Sequence, residues 1–266
     1  MIRLEYRNVT MRFPAAHSQP VTAIENVSFA VRDCEVVSLI GPSGCGKSTL
    51  LNIGSGLYSP SVGHALVDGD AVEGPNDHVA FMLQKDLLLP WRTIAENVIL
   101  GAEIKKRDRN ASLRRARDLL AAFRLDEFSE RYPHQLSGGM RQRAALARTL
   151  AVDPSVLLLD EPFSAVDAQT RIMLQHDLAQ TLQRAGKTAL LITHDLLEAV
   201  IMSDRVLVMS PRPGRIIDEI RIEMPHRDQP LRRRQHGKVG EYVTWLMQRL
   251  DIGQSALDEQ AAAGPA

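Results

Sequence analysis

Short apolar runs recur along the chain, separated by polar or glycine-rich segments. Five of these runs have the length and composition of strands buried on both faces of a parallel sheet, and they lie at 36–40, 79–83, 156–159, 188–192 and 205–209. Residues 27–32 instead alternate apolar and polar side chains, which is the period of a half-buried strand. The pattern predicts strands within the first thirty residues and a largely buried sheet after them.

Helical patterns separate the last three apolar runs, at 168–184 and 196–202, and a helix is predicted to begin near Ser48. An alternation of strands and helices implies parallel strands that are joined by right-handed crossovers. Between about Lys85 and Val152 the stretches are helical and no strand-like run interrupts them. We therefore expect a helical subdomain, with helices at about 111–123 and 138–151, inserted into an α/β core.

The C-terminal part continues with a strand predicted at about 215–222 and an amphipathic helix predicted over 242–250. Residues 258–266 are rich in Ala, Gly and Pro, and we predict a frayed end there. Two basic stretches stand out, at 105–117 and 231–238. We predict a solvated helix face for the first, and a solvated or lipid-headgroup-facing segment for the second.

Composition narrows the classes of function. The 266 residues are 44% hydrophobic and 24% charged, which is typical of a soluble globular protein. The 32 Lys and Arg residues offset the 32 Asp and Glu residues, which disfavours a nucleic-acid partner held by bulk charge. Only two cysteines are present, so a disulfide scaffold is excluded and a reducing cytosol fits.

Neither a membrane span nor a leader is apparent in the sequence. The longest stretch without Asp, Glu, Lys or Arg, 48–67, contains three glycines and a proline, so it does not fit a continuous helix in lipid. The N-terminus lacks the basic-then-apolar pattern of a signal segment. If the protein works at a membrane, another chain is expected to provide the anchor.

A glycine-rich loop follows the apolar run at 36–40 and matches the P-loop pattern G-x-x-x-x-G-K-[ST]. Glycines let successive backbone N–H groups turn toward phosphate oxygens, and the following helix adds its positive end. Lys47 is expected to reach the β- and γ-phosphates, and the Ser48 hydroxyl to bind Mg²⁺. The predicted phosphate cradle consists of Gly41, Pro42, Ser43, Gly44, Cys45, Gly46, Lys47, Ser48 and Thr49.

The apolar run at 156–159 leads directly into two acidic residues, which is the Walker B arrangement. Asp160 is then placed to hold Mg²⁺ through water, and Glu161 to accept a proton from the attacking water. The Asn/Thr-Lys-x-Asp motif with which GTPases read guanine is absent from the sequence. These observations favour ATP, with Mg²⁺ as cofactor.

The string Leu136-Ser-Gly-Gly-Met-Arg-Gln142 ends 18 residues before Asp160. Together with the P-loop and the Walker B strand, it resembles the signature of the ATP-binding-cassette (ABC) ATPases, and the likeness extends to about Arg221. The resemblance implies an α/β fold: a RecA-like P-loop NTPase core with an N-terminal antiparallel β-subdomain and an inserted helical subdomain. The implied ATPase domain spans 1–222, with core segments 1–85 and 153–222, helical subdomain 86–152, and a short C-terminal extension at 223–266.

Residue by residue, the resemblance implies further site residues. Gln84 matches the Q-loop glutamine, a catalytic residue and metal ligand, and His194 matches the catalytic switch histidine. Phe13 lies where the family places an aromatic ring against adenine. Nucleotide contacts are also implied for the signature residues Ser137, Gly138 and Gly139 and for Asp167 of the D-loop.

Three positions depart from the family pattern without removing a catalytic group. Met140 replaces the commoner glutamine of the signature, and Phe13 lacks the hydroxyl of a tyrosine. Cys34 stands where a turn glycine is usual, so we expect slight backbone strain there.

The resemblance also implies partners. One P-loop and one signature per chain imply two nucleotides sandwiched in a head-to-tail dimer of two copies. The apolar segment Asp86–Arg92 is expected to receive a coupling helix from a transmembrane permease, with Leu87 packed inward and Trp91 facing the partner. Leu88-Leu-Pro-Trp91 and the string at 210–215 resemble the nitrate, sulfonate and taurine import ATPases. That likeness implies two permease subunits, a periplasmic binding protein and a peripheral position on the cytoplasmic face of the inner membrane.

Other functions remain open at this point. An export motor would share every catalytic residue, and a cytosolic assembly factor would share the ATPase domain. A chromosomal or repair ATPase that clamps nucleic acid is disfavoured, because Lys47 and Ser137 are only 90 residues apart and no heptads lie between them. A P-loop kinase of another family would leave the signature unexplained. The transported solute is not encoded in recognisable residues of this chain.

Overall fold

A computed structural model describes residues 1–14 and 19–251 of the chain. The strands within these ranges form two sheets. In chain order they are β1 Ile2–Phe13, β2 Val21–Arg32, β3 Val36–Ile40, β4 Val62–Val67, β5 Asp70–Ala71, β6 Val79–Met82, β7 Val156–Asp160, β8 Thr188–Ile192, β9 Arg205–Met209 and β10 Ile216–Arg221.

The helices complete the set of elements. They are α1 Lys47–Gly54, α2 Ile94–Val98, α3 Leu100–Ile104, α4 Arg109–Ala122, α5 Gly138–Ala151, α6 Ala168–Arg184, α7 Leu196–Met202, α8 Pro230–Arg234 and α9 Val239–Arg249.

The smaller sheet is antiparallel and has the strand order β2-β1-β4-β5. Val27 and Val31 of β2 are fully buried while Ser28 and Arg32 are exposed, so the predicted alternation is confirmed. The ring of Tyr6 on β1 is buried, and its hydroxyl donates a hydrogen bond to the carbonyl of Leu50 in α1, at 2.8 Å. The apolar face of this sheet thus packs on the P-loop helix.

The larger sheet has the order β10-β9-β3-β8-β7-β6. Its strands are parallel except for β10, which runs antiparallel to β9. Every residue of β3, β7, β8 and β9 is buried, as the continuous apolar runs predict. Because parallel strands end at one edge, this edge collects the segments that follow β3, β6, β7 and β8.

The part of the chain between β6 and β7 contains helices and short 3-10 turns. Helix α5 begins at Gly138 as the signature pattern predicts, and the Ser137 hydroxyl caps it by accepting a hydrogen bond from the N–H of Met140 at 3.3 Å. A fold with an antiparallel sheet, a parallel core and a helical insert is what the sequence predicts. The domain boundaries themselves remain predictions.

One expectation about the C-terminal extension is wrong at a single residue. The basic run at 231–238 does not lie wholly in solvent, since Arg233 is buried. Its guanidinium donates hydrogen bonds to the carbonyl oxygens of Ser203 (2.6 Å), Met224 (2.7 Å) and Pro225 (3.0 Å). Burial lowers the pKa of Arg233. The residue ties α8 to the end of α7 because carbonyl groups freed at a helix terminus need donors.

Three further expectations concern single features. Cys34 has φ of +58°, which agrees with the strain expected where a glycine is usual. Across residues 1–14 and 19–251, the helices are too short or too polar to traverse a bilayer. The predicted fraying of 258–266 lies outside the described residues.

Candidate functional site

The P-loop connects β3 to α1 at the carboxyl edge of the larger sheet. Within it, the Lys47 ammonium donates hydrogen bonds to the carbonyl oxygens of Gly41 (2.7 Å) and Pro42 (3.0 Å). The loop therefore curls around its own lysine, which keeps this cation at the loop although the side chain is largely buried.

A cavity of about 520 Å³ opens beside the P-loop. Eight of its lining residues were predicted from the sequence: six of the P-loop, the aromatic Phe13 and Glu161. The other three, Val21, Ala23 and Arg212, were not predicted. The lining residues are Phe13, Val21, Ala23, Ser43, Gly44, Gly46, Lys47, Ser48, Thr49, Glu161 and Arg212. This volume, with an aromatic ring and a phosphate-binding loop on its wall, suits a nucleotide.

Ser48 and Asp160 have the chemistry of a Mg²⁺ site. Burial raises the pKa of the Asp160 carboxyl, and a hydrogen bond with Ser48 opposes that rise. A buried carboxylate beside a hydroxyl presents hard oxygen ligands, which Mg²⁺ prefers, and a nearby divalent cation would favour the ionised form of Asp160. Since magnesium sites at nucleotides usually use one or two protein ligands with waters and phosphate oxygens, these residues fit the ion.

Glu161 is the point at which the predicted catalytic residues meet. Its Oε2 atom lies 3.1 Å from Nε2 of Gln84 and 3.1 Å from Nδ1 of His194. The three residues follow or end three different strands, β6, β7 and β8, so only the parallel sheet brings them together. A carboxylate that accepts from an amide and lies beside an imidazole is suited to hold a water and take its proton.

The backbone at Glu161 is unusual. Its φ is +46°, which is in the left-handed region. This conformation is energetically unfavourable for any residue other than glycine. Hydrogen bonds hold this conformation: the Glu161 N–H donates to the carbonyl of Ile192 at 3.0 Å, and the Ser164 hydroxyl donates to the Glu161 carbonyl at 3.0 Å. Strain maintained by its surroundings is common where a side chain must point into a reaction site.

The signature residues and Asp167 do not line the cavity. Ser137 and Gly138 are exposed at the beginning of α5, and Asp167 is exposed at the beginning of α6. Asp167 accepts a hydrogen bond from the N–H of Thr170 at 2.9 Å, and this bond lowers the pKa of the carboxyl. Within a single chain, the predicted nucleotide contacts Ser137, Gly138, Gly139 and Asp167 therefore lie apart from the P-loop cavity.

Buried polar contacts connect the signature helix to the catalytic edge. The Gln142 side chain donates to the carbonyl of Pro162, directly after Glu161, at 2.8 Å. Arg148 donates to the backbone carbonyls of Asp86 (2.5 Å) and Leu87 (2.8 Å). The first turns of α5 are thus joined to the residue after Glu161, and its last turn to the segment after Gln84. The hydrophobic pattern offered no signal for these side chains.

The segment 86–92 exposes apolar side chains, but not in the predicted arrangement. Trp91 is 71% exposed, as predicted. Leu87, expected to pack inward, is 53% exposed, and Leu88 is the residue that packs into the core. The reason is local: Leu87 has φ of +44°, so the chain turns there and points the next side chain inward.

Comparisons with known proteins agree with this geometry. The family model described as ABC transporter matches residues 24–164. An uncharacterized ABC transporter ATP-binding protein of Methanocaldococcus jannaschii is 43% identical over 223 residues, which are 84% of this chain and 83% of that protein. The taurine import ATP-binding protein TauB of Rhizobium johnstonii is 42% identical over 230 residues, 85% of this chain and 86% of that protein.

A solved structure gives the same answer. The dimeric, post-hydrolysis state of the ATP-binding cassette MJ0796 bound to ADP and Pi has a TM-score of 0.74 and 31% identity, over 83% of this chain and 99% of that chain. With the P-loop, the Walker B strand and the signature in place, the chain belongs to the ABC transporter family, as one of its ATP-hydrolysing, ATP-binding subunits.

Proposed function

We propose that this chain is the motor subunit of a bacterial importer for nitrate, a sulfonate, taurine or a similar small solute. It would act at the cytoplasmic face of the inner membrane, bound to two permease subunits that receive solute from a periplasmic binding protein. The names of relatives at 40–42% identity, taurine import ATP-binding proteins, support import. The strings at 88–91 and 210–215 support the same subfamily.

In this proposal the P-loop residues 41–49 bind the phosphates of ATP and Phe13 stacks on adenine. Ser48, Asp160 and Gln84 hold Mg²⁺, which neutralises phosphate charge when bound. Glu161 accepts the proton of the attacking water, while His194 orients the Glu161 carboxylate.

The second half of the site would come from another copy of the chain. Ser137 and Gly138 present a hydroxyl and backbone N–H groups at the start of the 14-residue helix α5, outside the cavity that contains the P-loop. In a two-fold dimer, each signature would face the γ-phosphate held by the partner's P-loop. ATP would close this dimer and ADP would release it, because only ATP carries the third phosphate.

The observation that carries the transport proposal is the connection of Gln84 to an exposed apolar surface. Gln84 donates to Glu161, and the chain then runs directly into the segment that exposes Leu87 and Trp91. Arg148 fixes the backbone of this segment to the signature helix. A permease helix seated on 86–92 would therefore act on both the catalytic carboxylate and the signature helix.

The dimer is tested with Glu161→Gln, which keeps the side-chain shape and removes the base. This variant should bind ATP, lose turnover, and elute as a dimer with ATP but as a monomer with ADP in size-exclusion chromatography. A variant that remains monomeric with ATP would contradict the sandwich.

The permease surface is tested by Trp91→Ala, with Ile217→Ala as the matched control because Ile217 is an exposed apolar residue on β10. Trp91→Ala should retain basal ATPase activity but no longer purify with the permease pair from membranes, whereas Ile217→Ala should do both. If Trp91→Ala purifies with the permease as the unaltered chain does, the surface is misassigned. If the unaltered chain fractionates away from membranes, that result would support the alternative function as a cytosolic assembly factor.

Direction of transport needs a separate measurement. In proteoliposomes that contain the permease and this chain, an importer's ATPase activity rises when solute-loaded binding protein is added on the outer side. An exporter's activity would respond to solute on the nucleotide side and not to a binding protein.

A further inference from the structure

The loop between β9 and β10, residues 210–215, packs against the P-loop. Its backbone pairs with β2: the Gly214 N–H donates to the carbonyl of Ala23 at 2.9 Å, and the Glu25 N–H donates to the carbonyl of Gly214 at 3.0 Å. A Cβ atom on Gly214 would lie 2.0 Å from the carbonyl oxygen of Cys45. Only glycine permits this approach, so the loop is held directly against the phosphate cradle.

The loop places two arginines in different surroundings. Arg215 forms a salt bridge with Glu25, with 2.5 Å between Nη2 and Oε2. Arg212 forms no salt bridge with any carboxylate in the described part of the chain. Its Nε and Nη2 atoms donate to the carbonyl of Gly44, at 3.2 and 3.1 Å, and the side chain lines the cavity that contains the P-loop.

The charges around this cavity favour a polyanion. Lys47 and Arg212 are its cationic lining residues and Glu161 is its carboxylate. Lys47 already donates to two P-loop carbonyls, whereas Nη1 of Arg212 has no hydrogen-bond partner among residues 1–14 and 19–251. A guanidinium presents a planar fork of donors that matches phosphate oxygens, and it stays charged at any physiological pH.

We propose that Arg212 is a nucleotide-binding residue that contacts the polyphosphate of ATP and ADP from the β9–β10 loop. The contact is with the phosphates because Arg212 bonds to Gly44 within the cradle, while Phe13 provides the aromatic wall. The string at 210–215 thereby acquires a chemical role besides its subfamily likeness. This inference rests on the proposed nucleotide site at the P-loop.

The test measures binding of ADP and of a non-hydrolysable ATP analogue to the full chain by calorimetry, and the kcat and KM of its ATPase activity. Arg212→Ala should weaken binding of both nucleotides about tenfold, the usual effect of losing one hydrogen bond to a charged group. KM should rise by a similar factor with kcat unchanged, since the contact persists from bound substrate to transition state.

Two companion variants separate a phosphate contact from mere support of Gly44. Arg212→Lys keeps the positive charge and should retain part of the affinity. Arg212→Gln keeps a neutral donor for the Gly44 carbonyl and should lose as much affinity as Arg212→Ala. If Arg212→Gln restores affinity and Arg212→Lys does not, the arginine only positions the loop and the proposal is overturned. This comparison remains decisive even if Arg212→Ala folds poorly.

Control variants distinguish this inference from the site on which it rests. Arg215→Ala, in the same loop, should bind both nucleotides as the unaltered chain does. Lys47→Ala should lose nucleotide binding altogether. If Lys47→Ala loses binding and Arg212→Ala keeps full affinity, the inference fails while the nucleotide site stands. If Lys47→Ala binds normally, the site itself is misassigned.

Discussion

The P-loop end and the signature end of this chain are built in opposite ways. At the carboxyl edge of the larger sheet, Lys47 bonds to its own loop, and Glu161 accepts from Gln84 and lies 3.1 Å from Nδ1 of His194. At the beginning of α5, Ser137 caps its helix and is otherwise exposed. The first end is preassembled within one chain, and the second presents donors to solvent.

This difference indicates where each end obtains its binding energy. Groups that are already oriented lose little freedom when a nucleotide binds, so the P-loop end suits tight recognition by one chain. An exposed helix start gains binding energy when another subunit brings an anion to it, because the first N–H groups of a helix have no partner within the helix. The asymmetry between the two ends is the physical reason to expect a composite site made by two copies.

The largest expected effect comes from damaging each end in a different copy. Lys47→Ala and Ser137→Arg should each reduce ATPase activity at least about 100-fold, because each removes or blocks one half of every site. Mixing the two purified variants should restore activity, since a mixed dimer contains one undamaged pair of halves. ATPase assays of the mixture against each variant alone measure this. Activity that stays at the level of the separate variants would break the comparison.

A second prediction uses the buried carboxyl beside the catalytic edge. Glu198, on α7, accepts a hydrogen bond from Gln175 at 3.0 Å, and burial raises its pKa to about 7 from 4.5. Asp195 adds to this rise, while hydrogen bonds from Thr193 and Gln175 and the charge of Arg171 oppose it.

The sign of the pH effect follows from proton binding. Between pH 4.5 and about 7 the folded chain keeps a proton on Glu198 that the unfolded chain releases, so stability falls as the pH rises. Glu198→Gln lacks this titration. Its free energy of unfolding should therefore rise by about 3 kcal/mol relative to that of the unaltered chain between pH 4.5 and pH 8. Urea unfolding at several pH values measures it, with exposed Glu241→Gln as the control. A pH-independent difference would contradict the prediction.

A third prediction concerns close packing under the signature. A Cβ atom on Gly139 would lie 2.5 Å from Cγ2 of Thr170 on α6. Gly139→Ala should lower the free energy of unfolding by about 1.5 kcal/mol, because a stiff β-branched neighbour must shift. Thr170→Ser removes the clashing methyl group, so the double variant should recover most of that loss. Denaturant unfolding of the four chains tests this, and a double variant as unstable as Gly139→Ala would exclude the clash as the cause.

The smallest effect is expected at the link between the two ends. Gln142→Met keeps the volume of the buried side chain but leaves the Pro162 carbonyl without its donor. The free energy of unfolding should fall by about 1 kcal/mol. Exposed Gln248→Met on α9 is the control and should be neutral. If both substitutions are neutral, the bond does not stabilise the junction between signature helix and catalytic loop.

Much of the fold was predictable because its signals are local. The runs at 36–40, 188–192 and 205–209 are strands with the predicted bounds, and 138–151, 168–184 and 196–202 are helices with the predicted bounds. Period and capping depend on near neighbours in the chain, which a single sequence displays completely. The six P-loop residues that line the cavity were likewise predictable, since the spacing of one short motif specifies them, whereas Val21, Ala23 and Arg212 come from other segments and were not predicted.

The contacts of several arginines, in contrast, could not be predicted from the sequence. Arg233 appears in a basic run and is nevertheless buried, because carbonyl oxygens from two separated segments, at 203 and at 224–225, surround its guanidinium. Arg148 and Arg212 have the same character, since each bonds to backbone oxygens far away in the chain. No period or charge count distinguishes such arginines from solvated ones, as their partners are backbone atoms that every residue carries.

By itself, then, the sequence determined the elements, their class and the candidate residues for the reaction centre, because these follow from local periodicity and motif spacing. Only the tertiary structure decided that Gln84 and His194 meet at Glu161, that Leu88 rather than Leu87 packs inward, and that the 210–215 loop lies on the P-loop. The first and third of those facts depend on the distance between segments remote in the chain, and the second on a backbone turn at Leu87 that no hydrophobic period displays. Such distances are set by the packing of two sheets and their helices, and the order of residues does not display them.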